Sequence, residues 1–119
     1  MSNFGKLLTA VITPFDNNGV LNTDTLWRIC KKLVHEKSDG LVLSGTTGES
    51  PNLTKEDRKI IYSTAKDSVG DKAKIIAGTG TYSTRESIDY TKMANDTGVD
   101  GIMIVTPYYS KPSQFGILK

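Results

Sequence analysis

Two short stretches hold the residues able to do chemistry. Gly45-Thr46-Thr47-Gly48-Glu49 sets two hydroxyls between two glycines, directly after the apolar run Leu41-Val42-Leu43. Such glycines let the backbone turn tightly and bring its N–H groups close to a ligand. Converging N–H groups and a threonine hydroxyl can hold a small carboxylate without a full counter-charge. A threonine hydroxyl alone is a poor base, but it can serve as one link of a proton relay when another hydroxyl adjoins it. The second stretch, Thr106-Pro107-Tyr108-Tyr109, follows the apolar run Ile102-Met103-Ile104-Val105. A phenol both donates and accepts, so Tyr109 is a candidate partner for the threonines. Pro107 stops the strand and fixes the direction of the loop. Two adjacent tyrosines on extended backbone cannot both point into one cavity. One is expected to face a site and the other to pack or meet a neighbour.

The same residues also fit plainer roles. The first stretch could be a tight strand-to-helix turn with capping hydroxyls, and the second an aromatic plug at a rim or a subunit interface. Glu49 is the only carboxylate beside the threonines, and we expect it to fix its own loop rather than act as a base. Cys30 lies on the apolar side of a helix with no flanking His or Asn, the setting of a buried structural thiol. His35, at the end of that helix, is expected to be exposed and favourable to the helix dipole. No His, Cys, Asp or Glu set has metal-ligand spacing, so no metal is expected.

Regular elements must position these loops. Four apolar runs alternate with helical stretches. The first, Leu7 to Ile12, is closed by Thr13-Pro14, and a turn is expected at Asn17-Asn18-Gly19. Leu26, Ile29, Cys30, Leu33 and Val34 then form the stripe of an amphipathic helix capped by Asn22 or Thr23. The second strand is Leu41 to Ser44. Thr54 with Asp57 reads as a capping box for a helix that buries Ile61, Ala65 and Ser68 and stops at Gly70. The third strand, Ala73 to Ala77, meets Gly78-Thr79-Gly80-Thr81. Ser83 with Glu86 reads as another capping box, opening a helix with Tyr90, Met93 and Ala94 on one stripe and a stop at Gly98. The fourth strand is Gly101 to Val105.

Asp39-Gly40 precedes the second strand and Asp100-Gly101 the fourth. The interval is two units of roughly 30 residues, the length of a βα unit. Strands two and four are apolar on consecutive positions, as parallel strands covered on both faces are. The pattern is α/β, and either a (β/α)8 barrel or an open doubly wound sheet fits it. The dinucleotide fingerprint is missing, because Gly78-Thr79-Gly80 has no third glycine. Polar residues follow every strand: Thr13, Thr46 and Thr47, Thr79 and Thr81, Thr106 and the tyrosines. Chemistry at every strand end favours the barrel, whereas an open sheet concentrates it at one switch point.

The formal net charge of +2, from 15 basic and 13 acidic residues among 119, is too balanced to argue for nucleic acid or a membrane surface. No apolar stretch approaches the roughly 20 residues needed to span a bilayer, and the first residues lack the apolar core of a signal peptide. The single cysteine fits a reducing cytoplasm. A cytoplasmic protein without membrane or nucleic-acid partners is the expectation.

Taken together, Thr9-Ala10-Val11-Ile12-Thr13-Pro14-Phe15, Gly45-Thr46-Thr47-Gly48-Glu49-Ser50, Gly78-Thr79-Gly80 and Thr106-Pro107-Tyr108-Tyr109 resemble the dihydrodipicolinate (4-hydroxy-tetrahydrodipicolinate) synthase family. It belongs to the pyruvate-dependent, lysine Schiff-base aldolase superfamily that includes N-acetylneuraminate lyase. The lyases typically carry Ser where Thr46 stands and a different aromatic run at the second motif.

The resemblance implies a TIM barrel, the (β/α)8 fold, assembled as a homotetramer, a dimer of dimers. It implies condensation of pyruvate with L-aspartate 4-semialdehyde through a lysine Schiff base, in diaminopimelate and lysine biosynthesis, with no cofactor. Thr47 would bind the pyruvate carboxylate with help from the backbone N–H of Thr46. The Thr46 hydroxyl would be the middle link of a proton relay, and Tyr109 one end of it, reaching into the partner's site. Tyr108 would lie at the same interface. Feedback-sensitive relatives carry His and Asn where Lys55, Arg58 and Tyr82 stand, whereas Glu86 and Tyr108 are retained. Two added cations beside a lysine ammonium imply an enzyme insensitive to lysine.

The family's Schiff-base lysine lies on a later strand, and its second relay tyrosine and acceptor-guiding arginine also lie downstream. Residues 1–119 are therefore read as a partial barrel, four βα units ending in the fourth helix, against roughly 250 residues for a whole one. Lys111 and Lys119 do not sit at strand ends where an amine could be desolvated to lower its pKa. Without that amine there is no electron sink, so this stretch alone is expected to be inactive and to expose two sheet edges. A related aldolase with another aldehyde acceptor, and a non-catalytic carboxylate-binding α/β module, are the competing readings.

Overall fold

The computed structural model describes residues 3–118, so Lys119 lies outside the described residues. Four strands, β1 (Leu8–Ala10), β2 (Gly40–Leu43), β3 (Lys74–Gly78) and β4 (Gly101–Met103), alternate with helices α1 (Thr23–His35), α2 (Lys55–Val69), α3 (Thr84–Asp96) and α4 (Gln114–Leu118). A single 3-10 turn, Ser50–Asn52, lies between β2 and α2. All strand pairs are parallel, in the spatial order β1-β2-β3-β4, with Thr9 opposite Leu41, Leu41 opposite Ile75 and Ile76 opposite Gly101. Every new strand is added on the same side of the last. A doubly wound sheet reverses that order at its switch point, so the progression is that of the first half of a barrel.

Local chemistry explains the helix starts. The Asn22 side chain accepts from the N–H of Thr25 at 3.0 Å and opens α1. Thr54 and Asp57 form a complete capping box at α2, worth about 1 kcal/mol. At α3 the box is half made. Ser83 accepts from the N–H of Glu86 at 3.3 Å, but the Glu86 carboxylate turns away to accept from the Tyr90 hydroxyl at 2.9 Å. A phenol one turn along offers the carboxylate a better-placed donor than the cap backbone does.

The repeated Asp-Gly dipeptides do one job twice. Asp39 precedes β2, and its carboxylate accepts the N–H groups of Lys6 and Leu7, at 2.7 and 2.8 Å, on the approach to β1. Asp100 precedes β4 and accepts the N–H of Ile75 in β3 at 2.8 Å. Each aspartate thus ties the start of one strand to the strand before it. Backbone N–H bonds to the ionised form hold the Asp39 carboxyl below the usual carboxylate range, that of Leu7 contributing most.

The core lies between the sheet and the helices. Leu41, Leu43, Ile75 and Ala77 alternate along β2 and β3 and pack with Leu26 and Cys30 of α1, Ile61, Tyr62 and Ala65 of α2, and Met93 and Ala94 of α3. Two strands are shorter than their apolar runs. β1 and β4 are the outer strands and have one partner each among the described residues. Ile12, Ile104 and Val105 accordingly fall outside the ladder and are exposed.

Candidate active site

The rim at the C-terminal ends of the strands separates the polar residues by what their hydroxyls do. Thr13, buried after β1, donates to the carbonyl of Gly48 at 2.7 Å. The Thr79 hydroxyl pairs with that of Thr91 at 2.8 Å, and Thr81 donates to the Ser83 carbonyl at 3.0 Å. These three are structural. Thr46 and Thr47 are both exposed, and among the described residues neither hydroxyl has a side-chain hydrogen bond of its own.

The loop carrying them is built by backbone bonds. The N–H of Glu49 donates to the Thr46 carbonyl at 3.0 Å and that of Ser50 to Gly45 at 3.2 Å. Ser44 and Glu49 hold positive φ of 57° and 58°, sparsely populated values for residues with a side chain. The Glu49 carboxylate accepts from Asn52 Nδ2 at 3.3 Å, so it is engaged in fixing its own turn. Among the described residues the buried Ser44 hydroxyl has no partner.

A cavity of about 320 Å³ opens beside this loop. Ser44, Gly45 and Thr46 line it from just beyond β2, Ser50 and Pro51 from the 3-10 turn, and Val105 and Tyr108 from beyond β4. Gly78 and Gly80 also line it, and neither position has room for a side chain. A Cβ on Gly78 would lie 2.5 Å from the Ser44 carbonyl oxygen, and one on Gly80 2.5 Å from the Val105 nitrogen. Neighbouring strand ends approach so closely here that only hydrogen fits.

The two tyrosines separate as their adjacency requires. Tyr108 is half-buried, lines the cavity with Thr46, and meets Tyr82 edge to face, with centroids 5.5 Å apart at 81°. Tyr109 is 90 % exposed with φ 59°. The N–H of Ser110 donates to the Tyr108 carbonyl at 2.6 Å, closing a tight turn around it. The structure therefore brings Thr46 and Tyr108 to one cavity, while Thr47 and Tyr109 stand on the open rim outside its lining.

Arg58 is the residue the sequence reading missed in this role. It is only 2 % exposed. Its Nη1 donates to the Gly78 carbonyl at 2.9 Å, and its Nη2 to the Ser50 carbonyl and Oγ, both at 2.8 Å. Its guanidinium lies 4.4 Å from the centre of the Tyr90 ring. Desolvation, more than the bond to Glu86, raises the Tyr90 phenol pKa, and Arg58 opposes the rise. The signal was present: Arg58 stands at i relative to Ile61, Tyr62 and Ala65 at i+3, i+4 and i+7, on the buried stripe of α2.

Other candidates fall away from the rim. Burial pushes the Cys30 thiol up to about 11, so it carries almost no thiolate near neutrality. His35 is exposed in the last turn of α1. Lys111 is exposed, beyond the last strand.

Comparison with known proteins agrees with this geometry. Residues 3–119 match the model of the dihydrodipicolinate synthetase family. The 4-hydroxy-tetrahydrodipicolinate synthase of Desulforudis audaxviator is 50% identical over 115 residues, covering 97% of this chain and 39% of that protein. Among solved structures, a dihydrodipicolinate synthase from Bacillus anthracis superposes with a TM-score of 0.94 at 43% identity, over 98% of this chain and 40% of that one. The chloride-inhibited Acinetobacter baumannii dihydrodipicolinate synthase complexed with pyruvate superposes with a TM-score of 0.93 at 34% identity, over 97% of this chain and 40% of that one. The chain thus spans about 40% of the length of the relatives it matches. Progressive parallel strands, a threonine pair on the rim and the family match lead to one assignment: this chain belongs to the dihydrodipicolinate synthetase family.

Proposed function

We propose that these residues are the keto-acid-binding portion of a 4-hydroxy-tetrahydrodipicolinate synthase, which condenses pyruvate with L-aspartate 4-semialdehyde. The observation that carries the reading is the sorting of hydroxyls at the rim. Thr13, Thr79 and Thr81 are committed to the fold, whereas Thr46 and Thr47 stand beside a cavity with no side-chain bond of their own among the described residues. Thr47 with the N–H of Thr46 binds the pyruvate carboxylate. The Thr46 hydroxyl passes protons during imine formation. Tyr109, held outward on a tight turn, supplies a phenol to the site of a neighbouring subunit in a dimer of dimers, with Tyr108 at the same contact.

The reaction needs a neutral amine to form an imine with pyruvate, which then loses a methyl proton to give an enamine that attacks the aldehyde. In this reading that amine comes from a lysine outside residues 1–119, so these residues alone do not turn over substrate. No helix of the described residues is long and apolar enough to cross a membrane. Separately, the single cysteine, free and buried, suits a reducing compartment, and on that ground we place the protein in the cytoplasm. Borohydride reduction of the whole protein with pyruvate tests the reading. Covalent pyruvate on a lysine beyond position 119 is expected. Absence of an adduct, or an adduct on Lys111, would overturn it.

A further inference from the structure

A full positive charge lies buried one layer behind the cavity wall. Arginine stays protonated in proteins, and a charge removed from water without an ionic partner is costly. Arg58 has no ion pair among the described residues, where the salt bridges join Lys55 to Asp89 and Asp100 to Lys66 and Lys74. Its partners are two carbonyls, one hydroxyl and the face of Tyr90, and its Nε has none among the described residues. The Tyr90 phenol under the guanidinium is itself bonded to the carboxylate of exposed Glu86. The positive charge is thus only partly offset on the helix side.

On the other side, both residues that Arg58 grips, Gly78 and Ser50, line the cavity. The Ser50 Oγ accepts from Arg58 Nη2 at 2.8 Å, which leaves the Ser50 hydroxyl proton free to donate elsewhere. A hydroxyl polarised by a cation is a stronger donor than a free one. The same fork joins the end of β3 to the turn that closes the Gly45–Ser50 loop. Arg58 therefore both anchors the loop on the β3 side and places a positive charge behind it.

We propose that Arg58 is a positioning residue for a carboxylate ligand, anchoring the threonine loop and lending positive charge to its cavity through Ser50. The inference rests on the proposed function and names the source of its charge selectivity. A purely structural arginine would affect charged and neutral ligands alike. One that supplies charge discriminates between them.

The test is binding of pyruvate and of its uncharged methyl ester to the full-length protein carrying this chain. The wild type is compared with Arg58→Gln, Arg58→Lys and Ser50→Ala. For Arg58→Gln, pyruvate is expected to weaken about fivefold or more, and the ester by less than about twofold. Arg58→Lys should recover most of the pyruvate affinity. Ser50→Ala should show the same selectivity in smaller measure, and it decides the matter if the Arg58 variants do not fold. Equal weakening of both ligands, or unchanged pyruvate binding in Ser50→Ala and the folded Arg58 variants, would overturn the assignment. A wild-type protein that binds no pyruvate would instead overturn the proposed function, which separates the two failures.

Discussion

The hydroxyl of Thr13, just beyond β1, donates to the carbonyl of Gly48 across 2.7 Å, tying the threonine loop to the neighbouring strand end. Thirty-five residues separate them in the chain, and both are buried. The bond fixes the loop from the β1 side, as Arg58 fixes it from the β3 side.

Replacing Thr13 by Val keeps the shape and removes the donor, leaving a buried carbonyl unpaired. A loss of about 1–3 kcal/mol is expected in denaturant unfolding. Weaker pyruvate binding should accompany it, because the loop loses one of its two anchors. Unchanged stability would show that water replaces the bond.

Two glycines should fail for different reasons. Gly78→Ala forces a Cβ to 2.5 Å from the Ser44 carbonyl oxygen, and backbone atoms cannot swing aside. It should cost about 1–3 kcal/mol, as overpacking does. Gly98 has φ +81° with open space around it, so Gly98→Ala should cost about 1 kcal/mol of backbone strain. Asn at position 98 should recover part of that, whereas Asn at 78 should be worse than Ala. Parallel melting curves of the four variants give the comparison.

Acid sensitivity should depend on Asp39. Its folded pKa lies below the unfolded value because the N–H groups of Leu7 and Lys6 bond the ionised form. Its contribution to stability is therefore complete above the unfolded pKa of about 3.9, and is lost as pH falls through the lower folded value. Asp39→Asn should flatten this part of the stability profile below about pH 4. A variant with an acid limb as steep as the wild type would refute the role.

The proposed chemistry separates the rim residues by kinetic signature. In the whole protein, Thr47→Val should chiefly raise the KM for pyruvate. Thr46→Val and Tyr109→Phe should lower kcat by about a hundredfold or more, the scale of a lost proton-transfer group. Steady-state kinetics against pyruvate distinguish the two patterns.

Free lysine should not inhibit the whole enzyme. Lys55 is ion-paired with Asp89 at 2.8 Å, and Arg58 fills its position with a buried guanidinium. An ammonium brought near meets repulsion chiefly from the Arg58 guanidinium, which, unlike Lys55, has no carboxylate partner among the described residues. Inhibition by lysine in the initial-rate assay would count against the assignment of these positions.

Much of the architecture was legible because it is written in local chemistry. Asn22, Thr54 with Asp57, and Gly70 mark helix ends through bonds made within a few residues. The stripe from Leu26 to Val34 buries the face its spacing requires, and the repeated Asp-Gly dipeptides correspond to a repeated strand-to-strand tie. Ser83 with Glu86 was less legible, because Glu86 had two donors within reach and Tyr90 won.

The amino-acid sequence by itself determined the alternation of strands and helices, their caps, the two rim motifs and the family resemblance, since each depends on residue type and short spacing. Tertiary structure decided which rim threonine hydroxyls lack a partner among the described residues, that Tyr108 rather than Tyr109 lines the cavity, that Gly78 and Gly80 must lack a Cβ, and that Arg58 is buried between Ser50 and Gly78. Those outcomes depend on which backbone atoms approach from strands tens of residues away. Only the parallel register of β1 to β4 brings them within hydrogen-bonding distance.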